Sequence, residues 1–203
     1  MANPEHVELA RRYAAGERNL RLEMLDLSGA DLSGLDLSEA WLRDTDLSEA
    51  KLNGCRFVGA PMPGTNFRGA NLTGADLHGA IAAGTIFSRA VLAGSSFRST
   101  DMYGADLTYA DLTRADLTQA DLSLAQANHA IFTEARLTRA ILFKANLSHA
   151  DLRGTDLDQA ESVSSADFNE ALLPPGYHAA NNPRRSRFAR GFLSNKRRWW
   201  RLK

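Results

Sequence analysis

The sequence predicts an all-β solenoid, a chain wound into stacked coils around one continuous apolar core. Three observations carry this prediction. From Leu22 to Leu157 every fifth residue is apolar, 28 positions without exception: 19 Leu, 5 Phe, 2 Met and 2 Ala. Two residues before each of these sits a small or modest one, mostly Ala, otherwise Thr, Ser, Leu or Cys. Finally, a period of five matches neither the 3.6 of a helix nor the 2 of a strand. Two inward positions in five residues instead describe a chain that turns a corner every pentad and stacks, as hexapeptide β-helices do.

The unit reads Ala-(Asp/Asn)-Leu-(Ser/Thr)-x, as in Ala105-Asp106-Leu107-Thr108-Tyr109 and Ala110-Asp111-Leu112-Thr113-Arg114. This run resembles the pentapeptide-repeat family over residues 20–173. The resemblance implies a right-handed quadrilateral parallel β-helix with four pentads per coil. Twenty-eight pentads then give about seven coils, and rungs about 4.8 Å apart give a rod of roughly 34 Å. For function the resemblance implies several roles. Some members are topoisomerase-binding DNA mimics, and others act in cellular differentiation or as interaction modules.

A coil of four pentads stacks residues twenty apart, and the charges offer an independent check. Asp36, Arg56 and Asp76 are spaced by twenty, as are Asp116, Arg136 and Asp156. Glu23 precedes Arg43, Asp31 precedes Lys51, and Arg114 precedes Glu134 at the same spacing. Opposite charges on adjacent rungs attract, so each of these is expected to pair. Asp101 and Asp121 are a like-charge exception.

A solenoid needs its ends covered. Asn3-Pro4-Glu5 sets a capping residue before a proline at the first helical position, with an acid in the first turn. Val7, Ala10, Tyr13 and Ala14 then share one face and Gly16 stops the segment. Residues 1–19 are therefore read as a capping helix over 4–15 with a lead-in. At the other end the period slips by one: Ala160 is followed by Ala166, then Phe168, Ala171 and Leu173. One inserted residue within 161–165 predicts a bulge in an otherwise intact coil. Pro174-Pro175-Gly176 ends the repeat, because proline lacks the amide a ladder needs. Residues 174–203 form a basic, aromatic tail.

Composition sets the outer limits. With 44% apolar and 24% charged residues the chain is globular. A charged-then-apolar leader and an eighteen-residue apolar run are both missing, so a cytoplasmic protein is expected, and the family resemblance implies a bacterial one. The stretch 11–18, Arg-Arg-Tyr-Ala-Ala-Gly-Glu-Arg, followed by repeats is similar to cyanobacterial members. The lone Cys55 excludes an intramolecular disulfide framework and a cysteine-cluster zinc site. Acidic and basic residues balance at 24 each, yet residues 181–203 hold nine cations and no acid, which leaves −9 on residues 1–180.

The sequence carries no GxSxG, P-loop, HExxH or dinucleotide fingerprint. A non-enzymatic scaffold or protein-interaction module without a cofactor is expected. His129 and His149, twenty apart with Tyr109 one coil below, are placed to stack. They are the two candidate metal ligands, against the plainer reading of exposed rings with no third ligand beside them. Ile81, Ile86 and Val91 replace the usual Asp in coil 81–100 and form an apolar belt, with Ile131, Ile141 and Phe143 above it. The belt is a candidate protein contact, or a half-buried slot that suits branched residues. In the tail, Arg184, Arg185, Arg187 and Arg190 lead into Lys196, Arg197, Arg198, Trp199, Trp200 and Arg201. Such a segment suits an anionic membrane surface, nucleic acid phosphates, or self-association into a homodimer, against the plainer reading of a disordered solubilising tail. A topoisomerase partner is the alternative the resemblance implies.

Overall fold

The structure, a computed structural model, describes residues 1–177 of the 203. A helix α1, Pro4–Ala14, leads into a ladder of parallel bridges that joins residues twenty apart. The bridges run from Asp26↔Asp46 through Asp101↔Asp121 to Ile131↔Asp151. Twenty residues per coil and five per side make four walls. The inward Leu and the residue before it carry the ladder: Leu27 N–H donates to the Asp46 carbonyl (2.7 Å), and Asp46 N–H donates back to Leu25 (2.8 Å).

From Leu27 to Thr155 each corner is a four-residue turn closed by its own hydrogen bond, as from Ala30 N–H to the Leu27 carbonyl (3.1 Å). Its third residue has a positive φ, the requirement of a type II turn. Glycine serves where it stands, as at Gly79 (φ 65°). Elsewhere the ladder holds Glu39, Tyr109, His129 and His149 near φ 60°, a local cost the surrounding bonds must offset.

All 28 positions of the five-residue column are buried, none more than 1% exposed. Phe57, Phe67, Phe87 and Phe97 meet across the interior, with Phe67 and Phe87 stacked at 5.1 Å. The two Ala of the column, Ala82 and Ala127, each precede a Phe by five residues (Phe87, Phe132). A small residue thus offsets a large one within the coil, as close packing demands. In the second inward column Thr45, Thr65, Thr85 and Thr100 donate to carbonyls 23 residues earlier (2.5–2.7 Å), so their buried hydroxyls are satisfied. Cys55 does the same to Leu32 (2.9 Å), and burial pushes its thiol up to about 11.

The N-terminal helix and the slip after Ala160 are both present. Asn3 caps α1 by accepting from Glu5 N–H (2.9 Å), and Ala10 and Tyr13 close over the core. The slip is a bulge: Glu161 and Ser162 both donate to the Ala140 carbonyl (2.8 and 3.4 Å). Later bridges then join residues 21 apart, from Ile141↔Ser162 to Asp151↔Leu172. A 3-10 turn, Leu157–Gln159, precedes the bulge, and Val163 takes the inward place with Phe168 and Leu173 half-buried after it.

Candidate interaction surface

The four walls differ in what they present. Asp or Asn in the slot before the inward Leu has a local task. Its side-chain oxygen accepts the N–H of the residue two further on, as in Asp26–Ser28 (3.1 Å), Asn71–Thr73 (3.0 Å), Asp111–Thr113 (2.9 Å) and Asp121–Ser123 (2.9 Å). The carboxylate thereby holds the turn. Hydrogen bonds from the Ser28 and Ser33 hydroxyls and backbone hold the Asp26 and Asp31 carboxyls below the usual carboxylate range. Partial neutralisation by N–H dipoles also explains how Asp101 and Asp121 tolerate adjacent rungs.

The charge columns pair only in part. Lys51 reaches Asp31 (3.7 Å) and Arg114 reaches Glu134 (2.6 Å), as twenty-residue spacing predicts. Arg43 instead pairs with Asp44 (3.3 Å) and Glu23 with Arg21 (3.5 Å). Asp116 pairs with Arg98 (3.1 Å), while Asp156 takes the Leu137 N–H and the Thr138 hydroxyl rather than Arg136. Among the described residues Arg56 forms no ion pair with Asp36 or Asp76; Asp36 pairs with Arg18 (3.3 Å). Long side chains swing to the nearest acid, and the rung spacing does not compel them upward.

Tyr109, His129 and His149 form a continuous stack, with centroids 4.7 and 4.6 Å apart and planes within 6°. Arg89 lies over the Tyr109 ring (5.7 Å), and His149 Nδ1 meets Glu170 Oε2 at 3.2 Å. Ring lone pairs lie in the ring plane. Those of two parallel imidazoles run side by side and do not converge on one ion. Among the described residues no three His, Cys, Asp or Glu side chains gather as a metal site.

The apolar belt is scattered over three walls, because each step of five moves to the next wall. With the walls numbered from residue 21 in steps of five, wall 1 holds 21–25, 41–45 and every twentieth repeat of them; there Ile81 (49% exposed) joins half-buried Ile141 and Phe143, but Asp101 and Asp121 stand between them. Ile86 is half-buried on wall 2; Val91 and Ile131 (39% and 42% exposed) lie on wall 3 with Asp111 between. Wall 1 holds a contiguous apolar column that residue-by-residue reading missed: Trp41 (63% exposed), Pro61 and Ile81. Their spacing of twenty was the available signal. Trp41 stands between two shallow grooves of about 430 and 220 Å³, which share Arg18 and Leu20. The tail candidates, Arg184 to Arg201, lie outside the described residues.

A family model for pentapeptide repeats matches eight copies across residues 26–60, 50–89, 85–123 and 120–159. The chain belongs to the pentapeptide-repeat family. Membership implies a right-handed quadrilateral β-helix, and the four bridged walls have that form. Among solved pentapeptide-repeat structures, one from the Arabidopsis thaliana thylakoid lumen is 32% identical over 48% of this chain (TM-score 0.38). The matched part spans 64% of that protein's length. HetL, involved in heterocyst differentiation regulation in the cyanobacterium Nostoc, is 26% identical over 86% of this chain and 93% of its own (TM-score 0.32). QnrB1, a plasmid-mediated fluoroquinolone resistance protein, is 20% identical over 72% and 78% (TM-score 0.48). No curated protein matches the chain. Among the described residues no helix of this pentapeptide-repeat protein is long and apolar enough to cross a membrane.

Proposed function

We propose that this pentapeptide-repeat protein works without catalysis, as a rigid interaction rod of about seven coils whose basic aromatic tail docks it to an anionic surface. The supporting observation is that the ladder which buries the core also fixes every outward column. Side chains twenty apart therefore form rows that a partner meets preassembled, with little ordering cost on binding. Arg197 and Arg198 supply charge and Trp199 and Trp200 supply interfacial burial. The cytoplasm is the compartment this reading assigns. Full-length protein should co-sediment with anionic vesicles, less so as salt rises. Trp199→Ala/Trp200→Ala should weaken vesicle binding strongly, but should reduce binding to duplex DNA less than Arg197→Ala/Arg198→Ala does. Equal co-sedimentation of parent and variants would remove the tail from the proposal.

A second reading rests on the net −9 of residues 1–180: a DNA mimic that occupies a topoisomerase. It is the weaker of the two, because Lys51, Arg56 and Arg136 break the acidic rows. A gyrase supercoiling assay separates them. Inhibition at stoichiometric protein supports the mimic, and unchanged supercoiling removes it.

A further inference from the structure

The central outward column of wall 1 reads Arg21, Trp41, Pro61, Ile81, Asp101 from rung to rung. It is self-complementary about Pro61: a cation, an apolar residue, the proline, an apolar residue, an acid. Arg21 touches Glu23 (3.5 Å) yet is 88% exposed at its side chain, and Asp101 has no cationic partner among the described residues. Pro63 and Ala83 lie beside the column and extend the apolar strip.

The corners on both sides of the central rungs are glycines: Gly59 and Gly79 on one, Gly64 and Gly84 on the other. A Cβ at Gly79 or Gly84 would meet nothing within 4 Å. At Gly64 the Asp44 carboxylate lies over the corner, already paired with Arg43. Where these corners carry no side chain, a flat object can approach the backbone closely.

We propose that wall 1 is the contact surface of an antiparallel homodimer, with its two-fold axis at the Pro61 rung. An isologous contact places residue i on j and j on i. A two-fold axis along the strand direction turns wall to wall, reverses the rod and keeps each column opposite itself. Trp41 of each copy then covers Ile81 of the other, and Arg21 faces Asp101, twice. Four rung spacings, about 19 Å, separate the two charged ends. A parallel arrangement would set Arg21 on Arg21 and Asp101 on Asp101. The charge order therefore selects the antiparallel one. This inference extends the reading of the rod as an interaction module and is independent of the tail.

The test is sedimentation velocity on the full-length chain across the micromolar to millimolar range. The parent should associate reversibly to a dimer. Arg21→Glu and Asp101→Arg should each weaken the dimer about tenfold or more, since two attractions become two repulsions. An equimolar mixture of the two variants should regain parental association, because each variant supplies the charge the other lacks. Trp41→Ala should weaken association with no such rescue. A parent that stays monomeric throughout overturns the proposal. So do single variants that associate like the parent, or a mixture that fails to recover. The tail reading stands or falls separately, on the vesicle binding of the Trp199 and Trp200 variants.

Discussion

Adjacent residues in one coil should respond very unequally to the same substitution. Leu92 is fully buried, while Val91 beside it is 39% exposed in the slot where other coils carry Asp or Asn. Leu92→Asn removes about 1.5–3 kcal/mol of side-chain burial and leaves an amide unsatisfied for about 1–3 kcal/mol more, a loss of about 3–6 kcal/mol. Val91→Asn instead supplies the acceptor that Asn71, one rung away, gives to Thr73 N–H (3.0 Å). That bond is worth about 0.5–1.5 kcal/mol, offset by the lost Val surface, so the net change is within about 1 kcal/mol. Urea unfolding followed by far-UV circular dichroism measures both. If Leu92→Asn falls within 1 kcal/mol of the parent by the same linear extrapolation, or if the two variants lose equal stability, the inward register is wrong.

Three further outcomes follow from the same geometry. Arg114→Ala and Glu134→Ala should show a coupling of about 0.2–1 kcal/mol in a double-mutant cycle, vanishing in molar salt, because both side chains are exposed. Cys55 should resist alkylation at pH 8 in the folded protein and react on denaturation, its thiol being buried and bonded to Leu32. The Asp26 and Asp31 carboxyls are lowered in the fold, so they stabilise it above their unfolded pKa and lose that contribution as pH falls through the folded one. Melting temperature should hold from pH 7 to 5 and decline below about pH 4, less steeply in Asp31→Asn.

The buried column was legible because a corner every five residues fixes which side chain points inward, whatever its neighbours. Asn3-Pro4 and the slip after Ala160 were legible for the same reason: capping and counting are local. Outward geometry was less so. The spacing of Glu23 and Arg43 suggested a pair, but each found a nearer partner in Arg21 and Asp44. Coil 81–100 suggested a patch, yet consecutive pentads face different walls and only residues twenty apart stay together. Trp41, Pro61 and Ile81 obey that rule and become visible once the sequence is written in rows of twenty. His129 and His149 obey it too. Their spacing gave the stack, and the ring planes, which spacing does not encode, show lone pairs that do not converge.

One twenty-residue period sets both the core and the rows on the surface. Ser99 and Gln119 are one rung apart, with their side-chain oxygens 3.3 Å from each other. Rungs at about 4.8 Å fall within the Cα separation a disulfide accepts. In a Cys55→Ala background, Ser99→Cys/Gln119→Cys should form an intramolecular disulfide under mild oxidation, seen as a mass loss of two hydrogens in the folded monomer. Ser99→Cys/Arg114→Cys, fifteen apart and on different corners, should not. Cross-linking in the second pair with none in the first would contradict the four-walled coil.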